Sequence, residues 1–171
     1  DRIIEPLRAM GATVDGSEGG DGAPLTIRGG CLHGIEYRPP IASAQVKGCV
    51  LFAGLSADGP TTVVEPAPTR AHTEELMAAT GIEVEATAGR VTVYPGRPDP
   101  FDHRVAGDPS QAAFWAVGAA ILAGSEVVVE GVYAGPARTG FVDVLARMGA
   151  RIDHDPATGD LTVGSADLVG T

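Results

Sequence analysis

The sequence predicts an α/β fold built from a repeated βαβαββ module, with strands outside and helices buried within. Three observations carry this. An amphipathic helix, a glycine stop and a β-rich stretch recur as IIEPLRAMGATV, EELMAATGIEV and VDVLARMGARI, a period of about 70 residues. A second, almost wholly apolar helix alternates with the first type, in SAQVKGCVLFAG and DPSQAAFWAVGAAIL. Each helix of either type leads into a β-rich stretch. A single-helix-layer nucleotide-binding fold would not need a central helix as apolar as Ala112 to Leu122.

The elements follow in order. A helix over Asp1 to Met10 stops at Gly11, which can take the left-handed conformation of a helix C′ residue. A strand follows, then the loop GSEGGDGAP from Gly16 to Pro24, then the strand LTIRG near Leu25. The loop lacks Gly-Lys-Ser/Thr and opens no helix, so it reads as a hairpin connection rather than a phosphate loop. Ser43 starts the first apolar helix, and TTVVEP is the strand after it. The helix ending at Gly81 leads to a strand and to RVTVYPG. Asp108 is an N-cap with Pro109 at the first helical position of the second apolar helix, and SEVVVEG follows it. A last amphipathic helix stops at Gly149 before a strand and DLTVGS near Asp160. Gln45 with Gln111, and Arg70 with Arg138, hold matching places, so the repeat aligns throughout and is present about two and a half times. The apolar helices are expected to be buried on every side, with Phe114 and Trp115 in the core.

Composition narrows the function classes. With 171 residues, 44% hydrophobic and 20% charged, the chain can bury one sizeable core or two small ones. Aromatic residues make up 5% against 24 glycines, which suits thin, closely packed layers. A net charge of −10 argues against a nucleic-acid or acidic-membrane surface, yet a few local Arg and Lys can still hold an anionic small molecule. Cys31 and Cys49 have neither Cys-x-x-Cys nor histidine-cluster spacing and read as reduced structural thiols of a cytoplasmic protein. The apolar run Ala112 to Ala123 is too short to span a bilayer, and no signal peptide is visible. The chain opens directly in a helix without a start methionine, as an internal piece of a longer protein would.

The stretch from Pro40 to Gly81 holds the candidate site. Ser43-Ala44-Gln45 opens one helix and Thr69-Arg70 opens the next. Helix starts present unpaired N–H groups and the positive end of the helix dipole, so both are anion sites. Ser43, Gln45, Thr69 and Arg70 therefore form a polar pocket for a phosphorylated, hydroxyl-rich ligand, with plain alternatives: Ser43 as a cap only, Gln45 solvated, Arg70 a surface charge. Lys47 either lines the cleft or snorkels out. Arg138 reads as structural or interfacial, and His72 as an exposed first-turn residue rather than a base.

These residues also carry a resemblance. DRIIEPLRAMGA, PIASAQVKGCVLFAGL, EPAPTRAHTEEL, AGDPSQAAFWAVGAAI and GPARTGFVDVLARMGA stand in the order found in the EPSP synthase family, along nearly the whole chain. The Ser-Ala-Gln and Thr-Arg-x-His-Thr-Glu forms resemble the bacterial class II branch, many of whose members tolerate glyphosate. The resemblance implies an inside-out α/β barrel of the enolpyruvyl transferase type, here partial. It implies transfer of the carboxyvinyl group of phosphoenolpyruvate to the 5-hydroxyl of shikimate 3-phosphate in aromatic amino-acid biosynthesis, without metal or organic cofactor. Ser43, Ala44, Gln45 and Arg70 match the residues that hold shikimate 3-phosphate, and Gln45 also reaches towards phosphoenolpyruvate.

By the same resemblance, residues 1–105 are most of the shikimate-phosphate-binding domain and 106–171 one module of the second domain. The family's amino-terminal Lys-Ser segment and its later acidic and arginine motifs have no match in this chain. None of Asp153, Asp155, Asp160 and Asp167 stands in the catalytic context, so no catalytic residue is assigned and the piece is expected to be inactive alone. Glyphosate is a candidate inhibitor only, nucleic acid and membrane are not expected partners, and helix faces left uncovered would favour self-association. Two other readings compete: a non-enzymatic module that binds a phosphorylated metabolite or a partner, and an enolpyruvyl transferase acting on a sugar nucleotide. The Ser-Ala-Gln and Pro-Thr-Arg motifs speak against the last.

Overall fold

A computed structural model describes residues 2–17, 22–135 and 138–171. It divides into two units, Asp1–Phe101 and Asp102–Thr171, each with its own hydrophobic core.

In the first unit, helix α1 (Ile4–Ala9) is shorter than the Asp1–Met10 pattern and ends before Gly11, whose φ of 96° is the left-handed value expected of a C′ glycine. Strands β1 (Thr13–Asp15) and β2 (Thr26–Arg28) pair antiparallel, with Val14 opposite Ile27. Residues 18–21 of the loop between them lie outside the described residues. Then comes one complete module: β3 (Glu36–Tyr37), α2 (Ala44–Gly54), β4 (Thr61–Val64), α3 (His72–Ala79), β5 (Val84–Thr87) and β6 (Arg90–Val93). Its sheet runs β3-β4-β6-β5, with β3 parallel to β4 and the other pairs antiparallel. Val46, Val50 and Leu51 of α2 pack into one core with Tyr37, Val63, Met77, Ile82, Val91 and Val93. Gly54, one turn after Val50, brings α2 close to the sheet: a Cβ there would lie 2.7 Å from Cβ of Thr61.

The second unit repeats the pattern with α4 (Pro109–Ile121), β7 (Glu126–Val129), α5 (Gly140–Arg147), β8 (Arg151–His154) and β9 (Leu161–Gly164). Its sheet order, β7-β9-β8, matches β4-β6-β5, and all its pairs are antiparallel. Gly81 and Gly149 close α3 and α5 at positive φ as Gly11 closes α1, so the three stop glycines are structurally equivalent.

One expectation fails here. Phe114 and Trp115 are not core residues; they are 76% and 67% exposed. Helix α4 buries Ala112, Ala116, Ala119 and Ala120, a stripe at helical spacing, against a core with Val132, Leu145, Leu161 and Val163. Small side chains let the helix sit close on its sheet. Phe114, Trp115 and Ile121 project from other faces, which nothing described in this unit covers. A helix apolar all round is thus buried on one side only. Helix α2 likewise leaves Phe52 exposed. Among the described residues no helix is long and apolar enough to cross a membrane.

Candidate functional site

The site forms where α2 and α3 begin. Ser43 caps α2 with extended backbone, its Oγ accepting the amide of Val46 at 3.4 Å. Ala44 and Gln45 are the first two helical residues, and Gln45 is exposed. Arg70 stands two residues before α3, exposed, and its guanidinium makes no hydrogen bond or ion pair with any described residue. The two helix starts lie side by side: Lys47 of α2 bonds Glu74 of α3, and a Cβ on Gly48 would come within 3.1 Å of Thr73 Oγ1. Ser43 and Val46 also line a cavity of about 430 Å³ with Arg2, Glu5, Arg8 and Tyr37, whereas Gln45 and Arg70 lie outside its lining. Arg8 is engaged locally, its Nε donating to the Val14 carbonyl at 3.0 Å.

Lys47 does neither of the things expected of it. Its side chain is 1% exposed, so it neither lines a cleft nor snorkels to solvent. Its Nζ donates to Glu74 Oε1 at 2.7 Å and to Glu65 Oε2 at 3.1 Å, both carboxylates being buried as well. Thr69 Oγ1 in turn donates to Glu65 Oε1. The remaining oxygen of Glu74, Oε2, is buried without a partner among the described residues. Sequence reasoning missed Glu65, just past β4, and Glu74, in the first turn of α3. The signal for them was Lys47 itself, because a lysine inside an apolar helix requires buried carboxylates to compensate it.

The second module shows what its own Arg does. Arg138 Nη2 donates to Asp108 Oδ1 at 2.8 Å and to Ser110 Oγ at 3.0 Å, while the Ser110 amide donates to the same carboxylate oxygen at 2.9 Å. A carboxylate is therefore held between the start of α4 and Arg138. The Ser110 amide foremost, with Arg138 next, holds the Asp108 carboxyl below the usual aspartate range. In the first module the cap is a serine, and Arg70 has no such carboxylate among the described residues. The arginine two residues before the amphipathic helix is thus paired with a carboxylate at a helix start in one module and unpartnered among the described residues in the other.

The two cysteines are not paired with each other. Cys31 is exposed, Cys49 half-buried with burial pushing its thiol up, and both are free thiols. Among the described residues no three His, Cys, Asp or Glu side chains converge to hold a metal ion.

A sequence model of EPSP synthase (3-phosphoshikimate 1-carboxyvinyltransferase) matches residues 1–167. The 3-phosphoshikimate 1-carboxyvinyltransferase of Chloroflexus aggregans is 46% identical over 181 residues, covering 99% of this chain and 42% of that protein. A Thermus thermophilus protein of the same name is 51% identical over 153 residues, 89% of this chain and 36% of its own. The solved EPSP synthase from Acinetobacter baumannii superposes with a TM-score of 0.85 at 40% identity, over 95% of this chain and 39% of that one. The enolpyruvyl transferase NikO from Streptomyces tendae shares the fold at a TM-score of 0.71 and 17% identity, over 96% of this chain and 42% of its own. The chain spans about two fifths of the length of these curated relatives.

Proposed function

We propose that this chain, which belongs to the EPSP synthase family, contributes the phosphate-binding part of a shikimate 3-phosphate site. The reaction served is transfer of the carboxyvinyl group of phosphoenolpyruvate to the 5-hydroxyl of shikimate 3-phosphate. In the net reaction the 5-hydroxyl oxygen bonds to C2 of phosphoenolpyruvate, the C2–O bond to the phosphate breaks, and the hydroxyl proton leaves with inorganic phosphate.

The observation that supports this reading is the contrast between the two modules. The carboxylate held between the start of α4 and Arg138 marks where an anion sits in this architecture. The corresponding corner of the first module offers the start of α2 and an Arg70 unpartnered among the described residues. A phosphate monoester suits it: backbone N–H groups and the helix dipole favour negative charge, and a guanidinium grips two phosphate oxygens at once. Ser43 binds a phosphate oxygen through its hydroxyl, Ala44 through its backbone, and Arg70 through its fork. Gln45, exposed in the first turn, lies beside the shikimate ring and reaches phosphoenolpyruvate. Each charge-assisted bond is worth about 1.5–3 kcal/mol.

In this reading the first unit belongs to the shikimate-phosphate-binding domain and the second is one module of another domain. Its setting is the cytoplasm, and the uncovered face of α4 favours self-association. The chain holds one substrate in place and supplies no group that moves a proton. Calorimetric titration with shikimate 3-phosphate tests this, with binding expected for the wild-type chain and a loss of at least about tenfold for Arg70→Ala, since even one charge-assisted bond is worth that much.

A further inference from the structure

The buried ion cluster does more than fill space between α2 and α3. It joins three parts of the first unit: Lys47 from the first turn of α2, Glu65 from just past β4, and Glu74 from the first turn of α3. Through Glu65 it reaches a fourth, the segment 66–71, because Thr69 Oγ1 donates to the carboxylate oxygen that Lys47 does not use. Pro66 and Pro68 stiffen the backbone of that segment on either side of Ala67. Arg70, the residue after Thr69, has no partner of its own among the described residues. The bond from Thr69 is therefore what ties this segment to the buried cluster. An apolar core alone would pack α2 on α3 without specifying where Arg70 stands. Charged groups held at fixed distances specify it.

We infer that Lys47, Glu65 and Glu74 are positioning residues, a clamp that fixes the Thr69–Arg70 segment against the start of α2 and so sets the affinity of the anion site without touching its ligand. The identity of the ligand rests on the function proposed above; the clamp itself does not. Holding the guanidinium in place beforehand removes the ordering cost that binding would otherwise carry. Glu74 Oε2, buried without a partner among the described residues, fits a cluster kept for geometry rather than for net stability.

The test replaces all three charges together, as Lys47→Met, Glu65→Met and Glu74→Met in one variant. Apolar side chains of similar volume in place of a buried ion cluster usually leave a fold intact. The amides of Ala67, Thr69, Arg70 and Ala71 are followed by nitrogen-15 relaxation without ligand, and shikimate 3-phosphate affinity by calorimetry. The clamp requires order parameters of about 0.85 in the wild type falling below about 0.6 in the variant. Affinity falls about tenfold while cooperative unfolding is kept. A folded variant with an ordered segment and unchanged affinity overturns it, and so does a wild-type segment that is already mobile. If the triple variant does not fold, Thr69→Val decides: loosening with weaker binding, restored by Thr69→Ser, supports the clamp, and no change overturns it. Loosening in the variants without any binding of shikimate 3-phosphate by the wild type supports the clamp and removes the ligand reading alone.

Discussion

Arg70 and Arg138 occupy matching places in two modules, and one neighbour makes them differ. Asp108 engages Arg138 from the same chain, while no described carboxylate engages Arg70. Arg138→Ala should therefore leave shikimate 3-phosphate affinity unchanged and lower the stability of the second unit, which Trp115 fluorescence would report. Asp108 gives that unit a pH dependence of definite sign. Its folded carboxyl is held below the ordinary aspartate range by the Ser110 amide and Arg138. The stabilisation is full above the unfolded value of about 4 and fades as pH falls through the lower folded value. Asp108→Asn should remove that part of the acid sensitivity, seen as a flatter dependence of the unfolding midpoint between about pH 5 and 2. Lys47 is the residue the sequence misrepresents. Helical position places it correctly near the start of α2, but its partners come from beside β4 and from α3, so the local pattern could not name them. Lys47→Met alone leaves two buried carboxylates uncompensated and should cost about 3–5 kcal/mol in urea unfolding, unlike the triple replacement.

At the scale of elements, the legible signals were those with a local cause. Stop glycines at 11, 81 and 149 all adopt positive φ, and Asp108 with Pro109 caps α4 as the side-chain chemistry requires. Strand order was not legible, because it depends on pairings such as β4 with β6, which are set by the whole module. Nor was the orientation of α4. Its composition is apolar on every face, so periodicity could not tell that the alanine stripe, rather than Phe114 and Trp115, would meet the sheet. Side-chain size decides it, since only the alanines permit close approach. The contact of α2 with its sheet gives a direct check. A Cβ on Gly54 would stand 2.7 Å from Thr61 Cβ and 3.0 Å from Val93 Cγ2. Gly54→Ala should therefore destabilise the first unit by about 1–3 kcal/mol through overpacking, measured as a lower urea midpoint with an unchanged slope.

Across the whole molecule, the module was legible because it is repeated, and family membership because its motifs keep their order over residues 1–167. The exposed face of α4 bears on how the molecule behaves in solution. Trp115 is the single tryptophan and is 67% exposed. Its emission should be readily quenched by iodide in dilute solution, and self-association through this face would make quenching weaken as protein concentration rises. With phosphoenolpyruvate and shikimate 3-phosphate together, the chain alone should release no phosphate, since the role proposed for its residues is to bind and not to transfer a proton. The central claim is that the open corner of the first module holds the phosphate of shikimate 3-phosphate. Calorimetry of the wild type beside Arg70→Ala and Arg138→Ala tests it most directly. Binding should weaken at least about tenfold in the first variant and not in the second. Equal binding by wild type and Arg70→Ala, or no binding by a folded wild-type chain, would contradict it.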